Sequence, residues 1–541
     1  MTGLELIVVV VTAVLLMTWT ARRLRVSEPL LLLIGGILIG LLPRFADIHL
    51  PPDVVLLLFL PALLYWESLT TSLREVKNNF RSIALQATGL VLVTALAVTV
   101  VAHALGYSWP LAFVLGAVLA PTDVSAVTAV ARAMPRRMLT LLRTESLLND
   151  GTALVLLAVS LEVLTTGEPF SWAHTAMRFL EAYAGGAAVG AATALLLVPV
   201  RRYMGDRILH SGLSVATPFL ACLPAEALHV SGVLAVVTCG LVTSRVGPRV
   251  IGSDARLQAT SFWEVTTFLL NGALFVLVGI QLPAAVRALT SISLLQATVI
   301  AAVVSATVVA ARLAWFYTIP YVVRLLDRRP RQRERRISAR QRLPLAWAGM
   351  RGAISLAAAL TIPATTPGGR PLGQRDAVVF ITVVVIVVTL AVLGPALPAV
   401  VRWARFGEDT AEAAEETLAV RHLATTALAE MAALAHRFDT PDAATAQIAK
   451  DLRKQATVGL GETHDDGSLD LRRQMNAAYA LQAALLDIKR AALSDLRRHS
   501  RIDDAVLLRV QRFLDAEEQH LRLRTALLPP DADGTDGGFG R

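Results

Sequence analysis

The stretch Glu145-Ser146-Leu147-Leu148-Asn149-Asp150-Gly151 lies inside an apolar run, residues 139–164, long enough to cross a bilayer as a helix. An ionised carboxylate at bilayer depth costs at least ~2.5–3.5 kcal/mol on insertion scales. A chain that keeps two acids and an amide within six residues there is expected to use them, so something charged is handled at that depth.

The sequence on either side of this run reads the same way. Of 541 residues 55% are hydrophobic, mean hydropathy is +0.57, and apolar runs of roughly 17 to 25 residues recur, as bilayer-spanning helices require. About thirteen spans are predicted, near residues 4–20, 29–43, 53–70, 82–105, 109–131, 139–164, 178–200, 208–223, 231–244, 258–281, 294–320, 343–362 and 376–401. Lys and Arg favour cytoplasmic loops. One alternate set of loops holds Arg22, Arg23, Arg25, then Arg74, Lys77, Arg81, then Arg132, Arg136, Arg137, Arg143, then Arg201, Arg202, Arg207, then Arg245, Arg249, Arg256, and finally nine arginines from Arg324 to Arg342. The opposite set holds Arg44, Arg178, Arg287, Arg370 and Arg375. The expectation is a multi-pass protein of the cytoplasmic (inner) membrane with its N-terminus outside and its C-terminus in the cytoplasm.

The net charge of +9 is explained by positive inner loops facing anionic headgroups. No aromatic-interleaved basic stripe or nucleic-acid-binding module accompanies it, so nucleic acid is not an expected partner. Residues 1–20 lack a basic leading region, carry Glu5 and run into Ala21-Arg22-Arg23, which reads as a retained first span rather than a cleaved signal. Cys222 and Cys239 sit in separate spans and make neither a disulfide framework nor a metal site. His103 and His229 fall near outer span ends and read as interfacial groups.

Two domains are expected, 1–402 in the membrane and 403–541 as a cytoplasmic helical tail. From Gly407 the sequence turns polar and alanine-rich, with helical periodicity near 408–436, 441–457, 468–496 and 501–525. Residues 527–541 are Gly/Asp/Pro-rich and read as disordered. No nucleotide-binding fingerprint occurs in the tail, and no cofactor is expected.

On a helix turning ~100° per residue, Ser146, Asn149 and Asp150 share one arc, with Glu145 further round and facing another partner. An oxygen-rich face with one full negative charge suits a small hard monovalent cation. The same carboxylate, partly desolvated, can also take a proton. Competition between the two is an exchange mechanism if the loaded and protonated forms switch access and the bare carboxylate does not. The bland reading is that these groups only join helices. In Ala120-Pro121-Thr122-Asp123 the proline is expected to break the fifth span, as broken helices do around ion sites. Asp123 then caps the second half-helix, or ligates, and Thr122 offers its hydroxyl or carbonyl. Glu67, at the inner end of the third span, ligates the ion or reaches toward the headgroups. Arg351 lies beyond easy escape to the interface and is expected to pair with Glu145, with Gly349 and Gly352 permitting close helix approach. Glu264 and Arg312 form a possible second pair.

At these residues, namely Tyr65-Trp66-Glu67, Ala120-Pro121-Thr122-Asp123, Glu145 to Gly151 and Gly349-Met350-Arg351-Gly352-Ala353-Ile354, the chain resembles the bacterial sodium/proton exchanger branch of the cation:proton antiporter-1 family, over roughly residues 5–400. The resemblance implies an all-α homodimer of two inverted six-helix repeats, separated by a seventh helix, with broken crossing helices and an elevator-like core. By position it makes Asp150 the cation- and proton-binding carboxylate, Asn149 its neighbour, and Ser146, Thr122 and Glu67 supporting oxygen donors to Na⁺, with Asp123, Glu145 and Arg351 in support. Members with Asn-Asp at the site resemble electroneutral exchangers. The family often has proline after the broken-helix aspartate, where Val124 stands here. The function expected is exchange of Na⁺ or Li⁺ for H⁺ without enzymatic chemistry. A K⁺/H⁺ exchanger and an ion-sensing receptor signalling through its tail are the alternatives.

Overall fold

The computed structural model describes residues 3–24, 26–45, 51–52, 54–71, 83–123, 134–166, 172–204, 206–251, 253–326, 338–365, 372–406, 410–438, 441–458, 481–482, 485–493, 510 and 514–521. They form two compact units, Met1–Gly407 and Glu408–Arg541.

The described elements of the first unit are helices. Its elements are α1 (Gly3–Leu24), α2 (Glu28–Gly40), α3 (Val54–Thr70), α4 (Leu85–Ala104), α5 (Trp109–Leu119), α6 (Arg136–Thr166), α7 (Trp172–Tyr203) and α8 (Arg207–Ala227). There follow α9 (Gly232–Val250), α10 (Ser253–Ala288), α11 (Leu294–Leu326), α12 (Ala339–Trp347), α13 (Ala353–Leu360) and α14 (Arg375–Ala404). Among the described residues, eight helices are long and apolar enough to cross a membrane. Large apolar side chains such as Leu4, Leu15 and Leu16 of α1 and Leu195 and Leu196 of α7 are exposed, as a lipid solvent allows. Many hydroxyls within the spans donate to carbonyls one turn back, as Thr193 does to Val189 (2.9 Å) and Ser305 to Ala301 (2.7 Å), which satisfies them inside their own helix.

Packing divides the unit into two apolar clusters. One gathers Leu115 and Val118 of α5, Leu142 of α6, Val304 of α11, Leu356 of α13 and Ile381 of α14. The other gathers Leu64 and Tyr65 of α3, Cys222 of α8, Val236 of α9 and Trp263 of α10. The close crossing of α2 on α10 depends on glycine: a Cβ on Gly36 would strike the Val276 carbonyl, and one on Gly279 would meet Leu33 and Gly36 backbone. Backbone cannot yield as a side-chain tip can. Gly36→Val is expected to destabilise the unit by about 1–3 kcal/mol or more through overpacking, read as a lowered unfolding temperature in detergent; an unchanged value contradicts this crossing.

The structure refines the sequence reading of several spans. The twelfth, read as one span over 343–362, is interrupted: helix stops at Trp347 and restarts at Ala353. Glycine at 349 and 352 weakens the helix there, and other partners take up the freed backbone groups. The Met350 carbonyl accepts from Asp123 N–H (2.8 Å), the Arg351 N–H donates to Thr389 Oγ1 (3.2 Å), and the Gly349 carbonyl accepts from the Arg351 guanidinium (2.5 Å). In the fifth span, helix ends at Leu119 and residues 121–123 are non-helical, the break that Pro121 predicts. The continuation from Val124, where Asp123 was expected to cap a second half-helix, lies outside the described residues. The spans expected at 208–223 and 231–244 are longer than read, Arg207–Ala227 and Gly232–Val250.

In the second unit α15 (Thr410–Arg437) and α16 (Asp442–Val458) pack together. The segments 485–493 and 514–521 are joined by Leu486, Leu493, Leu514 and Leu521 and by ion pairs, Lys489 to Glu517 at 2.8 Å and Arg490 to Asp515 at 2.8 Å. The remainder of the two last predicted tail helices, and residues 527–541, lie outside the described residues.

Candidate ion-binding site

Three elements build the site: α6, the extended segment after α5, and the break between α12 and α13. The α6 sequence presents Ser146, Asn149 and Asp150 on the arc that helical geometry predicts, and Thr122 meets them. Ser146 Oγ donates to the Thr122 carbonyl (2.8 Å), and Asn149 Nδ2 donates to Thr122 Oγ1 (3.1 Å). All four are buried, Asp150 to 3% exposure and Asn149 to 0%. With the amide nitrogen committed to Thr122, Asn149 Oδ1 is left facing inward as an acceptor. Neither Asn149 Oδ1 nor Asp150 Oδ1 has a hydrogen-bond donor. A buried acceptor without a donor costs about 1–3 kcal/mol, and two on consecutive residues of one helix are both open to an electrophile.

The charged surroundings follow from the crossing. Asp123 places its carboxylate against Gly352, at the start of α13, where any Cβ would overlap it; the positive end of α13 thus faces an acidic group. The charges of Asp123 and Glu67 both reach Asp150, and those of Asp123 and Arg143 reach Glu67. Glu67 therefore shares this electrostatic neighbourhood from α3, half-buried.

The expected Glu145–Arg351 ion pair is not formed. Glu145 Oε1 pairs with Arg312 Nη1 at 2.7 Å, both side chains 98% buried or more. Arg312 also donates to the Leu345 carbonyl from Nε (3.3 Å) and Nη2 (3.2 Å), and lies over the Phe316 ring at 5.1 Å. The second expected pair, Glu264 with Arg312, is overturned by the same contact. Arg351 instead donates from Nε to the Leu119 carbonyl (3.0 Å) and to the Gly349 carbonyl. The cause is the break: outside a helix, Arg351 turns to the exposed carbonyl end of α5, leaving the face toward Glu145 to α11.

Sequence reasoning missed Tyr183 as well. Its hydroxyl is hydrogen-bonded to Thr152 Oγ1 and approaches the Leu148 carbonyl at 3.3 Å, bracing α6 beside Asp150. A lone phenol in the small-residue run of α7 was the available signal. Among the described residues no group of three or more His, Cys, Asp or Glu side chains is placed to hold a metal.

Comparison with known proteins shows the family and the fold. A relative from Mycobacterium tuberculosis, named an uncharacterized Na(+)/H(+) exchanger, is 42% identical over 533 residues, covering 98% of this chain and 97% of its own. A sodium, potassium, lithium and rubidium/H(+) antiporter of Bacillus subtilis is 30% identical over 387 residues, 69% of this chain and 57% of its own. The fold matches the sodium proton antiporter MjNhaP1 from Methanocaldococcus jannaschii with a TM-score of 0.59 at 16% identity, over 74% of this chain and 99% of that one. The family model for the transmembrane sodium/hydrogen exchanger matches residues 10–403, so the chain belongs to the sodium/hydrogen exchanger family and is a membrane transporter, not an enzyme.

Proposed function

We propose that the chain exports Na⁺ or Li⁺ in exchange for inward H⁺, with Asp150 binding the cation and the proton in turn. The observation that carries this reading is the pair of buried, donor-free oxygens, Asn149 Oδ1 and Asp150 Oδ1, beside Thr122 and Ser146. A cation gives both oxygens an electrophile. A proton on Asp150 gives its carboxyl a donor and neutralises it. The bare carboxylate has neither, so the empty site is the form least able to move through a desolvated barrier. That asymmetry couples the two fluxes. Thr122 and Ser146 supply further oxygens, Glu67 adds a second acidic charge felt at Asp150 that steers or ligates the cation, and Asp123, Glu145 and Arg351 hold the frame.

Thirteen spans in two inverted repeats, with the N-terminus outside and the tail in the cytoplasm, fit the loop charges, counting α12 and α13 as one interrupted span. The broken crossing segments are consistent with an elevator-like core, and one titrating carboxylate on α6 with one-for-one, electroneutral exchange. The exposed apolar face of α7, including Leu180, Leu195 and Leu196, is suited to a homodimer contact. K⁺ is the second cargo, favoured by the potassium in the name of the Bacillus relative.

Purified protein in proteoliposomes with an internal pH dye tests the reading. Na⁺ and Li⁺ pulses are expected to move protons at clamped zero potential, with K⁺ slower. Equal rates for all three contradict the selectivity, and no cation-dependent proton movement contradicts the function.

A further inference from the structure

A second polar site lies away from α6. A cavity of about 220 Å³ opens between α3, the end of α7, and α8, α9 and α10. Its wall carries Arg201, His210, Ser214, Thr243, Ser244 and Arg256, with Trp66 and Trp263 as flat apolar sides. Among the described residues that line it there is no Asp or Glu.

Arg201 is 4% exposed, and its hydrogen bond runs from Nη2 to Thr217 Oγ1 at 3.0 Å. A guanidinium has five N–H donors and cannot shed its charge, so a buried one facing a single hydroxyl is poorly compensated. Two further polar atoms there, on side chains more than nine-tenths buried, have no partner. Tyr65 Oη, fully buried, meets no partner at hydrogen-bonding distance and angle, and the Ser214 and Thr217 hydroxyls and the Arg201 charge are its polar neighbours. His210 engages the Met204 carbonyl through Nε2 (2.7 Å), which leaves Nδ1 unpartnered. Ser214 Oγ accepts from Trp263 Nε1 (3.0 Å), so its own proton is free to donate.

We propose that this cavity binds a phosphate group, carried by a soluble phosphate species or by a lipid headgroup, with Arg201 as the anchoring cation and Tyr65 and Ser214 as hydroxyl donors. Donors converge from three helices, which a tetrahedral oxyanion satisfies from several directions and a planar carboxylate does not. The C-terminal turns of α7 and α9 carry Arg201, Arg202, Arg245 and Arg249, the face on which anionic headgroups and soluble phosphates are met. Binding has a consequence for α3: Trp66 stacks on Trp263 at 6.4 Å, and Trp66 and Thr70 in the cavity wall flank Glu67. An occupant therefore sets the position of Glu67, and this consequence rests on the transport reading above, whereas binding does not.

Thermal unfolding of the purified full chain tests binding independently of flux. Inorganic phosphate, against chloride at equal ionic strength, is expected to raise the unfolding temperature in detergent, or phosphatidic acid against phosphatidylcholine to do so in nanodiscs. Response to phosphate assigns a soluble ligand; response to phosphatidic acid alone assigns a headgroup. Arg201→Gln is expected to weaken half-saturation at least about tenfold by removing the charge-assisted bonds. Gly247→Leu provides a variant that keeps Arg201: the site has room for a side chain, its Cβ meeting Ile251 at 3.4 Å, and leucine there fills the cavity. It is expected to lose the response equally. No response of the wild type to either ligand, or wild-type half-saturation in a folded Gly247→Leu protein, overturns the proposal. In the flux assay, ligand is expected to change the apparent cation affinity of the wild type and not of Gly247→Leu.

Discussion

Asp150→Asn is expected to reduce cation-dependent proton flux in proteoliposomes to background while the protein remains folded. The substitution keeps the shape of the side chain and its place on α6, so the neighbouring Ser146 and Asn149 bonds to Thr122 and the surrounding core are preserved. What it removes is the ability to be charged with a cation and neutral with a proton. An amide presents the same electrostatics to both sides, so nothing remains to couple the two movements. Its unfolding temperature is expected to match or exceed that of the wild type, because a buried acidic group is replaced by a neutral one. Flux near the wild-type rate would remove Asp150 from the mechanism.

The second large effect concerns stability. Glu145→Gln leaves the Arg312 guanidinium, 1% exposed, without its carboxylate, and removing one partner of a buried ion pair costs about 3–5 kcal/mol. Replacing both members with apolar residues, Glu145→Leu with Arg312→Met, is expected to recover most of that loss, since neither charge is then stranded. Arg351→Gln tests the alternative pairing. It is expected to leave the Glu145–Arg312 contact intact and to cost only the bonds to the Leu119 and Gly349 carbonyls, about 1–3 kcal/mol. Equilibrium unfolding in detergent measures all three variants. A Glu145→Gln protein as stable as the wild type, or an Arg351→Gln protein less stable than Glu145→Gln, would contradict the observed pairing.

The wrong partner for Glu145 shows where sequence reasoning stops. Depth along a span can be counted in residues, and it placed Glu145 and Arg351 at similar levels correctly enough. Azimuth around a helix can be counted too, and it separated Glu145 from Ser146, Asn149 and Asp150 as the structure does. Azimuth has no meaning where the helix is interrupted, and residues 348–352 are interrupted. Pro121 announced its break because proline removes a donor. Gly349 and Gly352 carry no such mark, since glycine in a membrane helix reads equally well as a close-packing residue. In the structure Gly352 serves the second purpose as well, admitting the Asp123 side chain. Tyr183 was invisible for a different reason: its contact with Thr152 depends on how α7 lies against α6, which no pattern within α7 encodes.

Competition at Asp150 is tested most directly by the pH dependence of apparent cation affinity, with flux measured at saturating and subsaturating Na⁺ across a pH series at zero potential. One carboxylate shared by the two ions predicts that, in the acidic limit, half-saturation for Na⁺ rises roughly tenfold for each unit fall in pH, as linkage to one proton requires, while maximal exchange at saturating Na⁺ is recovered. Half-saturation independent of pH, or lost exchange that no Na⁺ concentration restores, would mean that cation and proton travel on different groups.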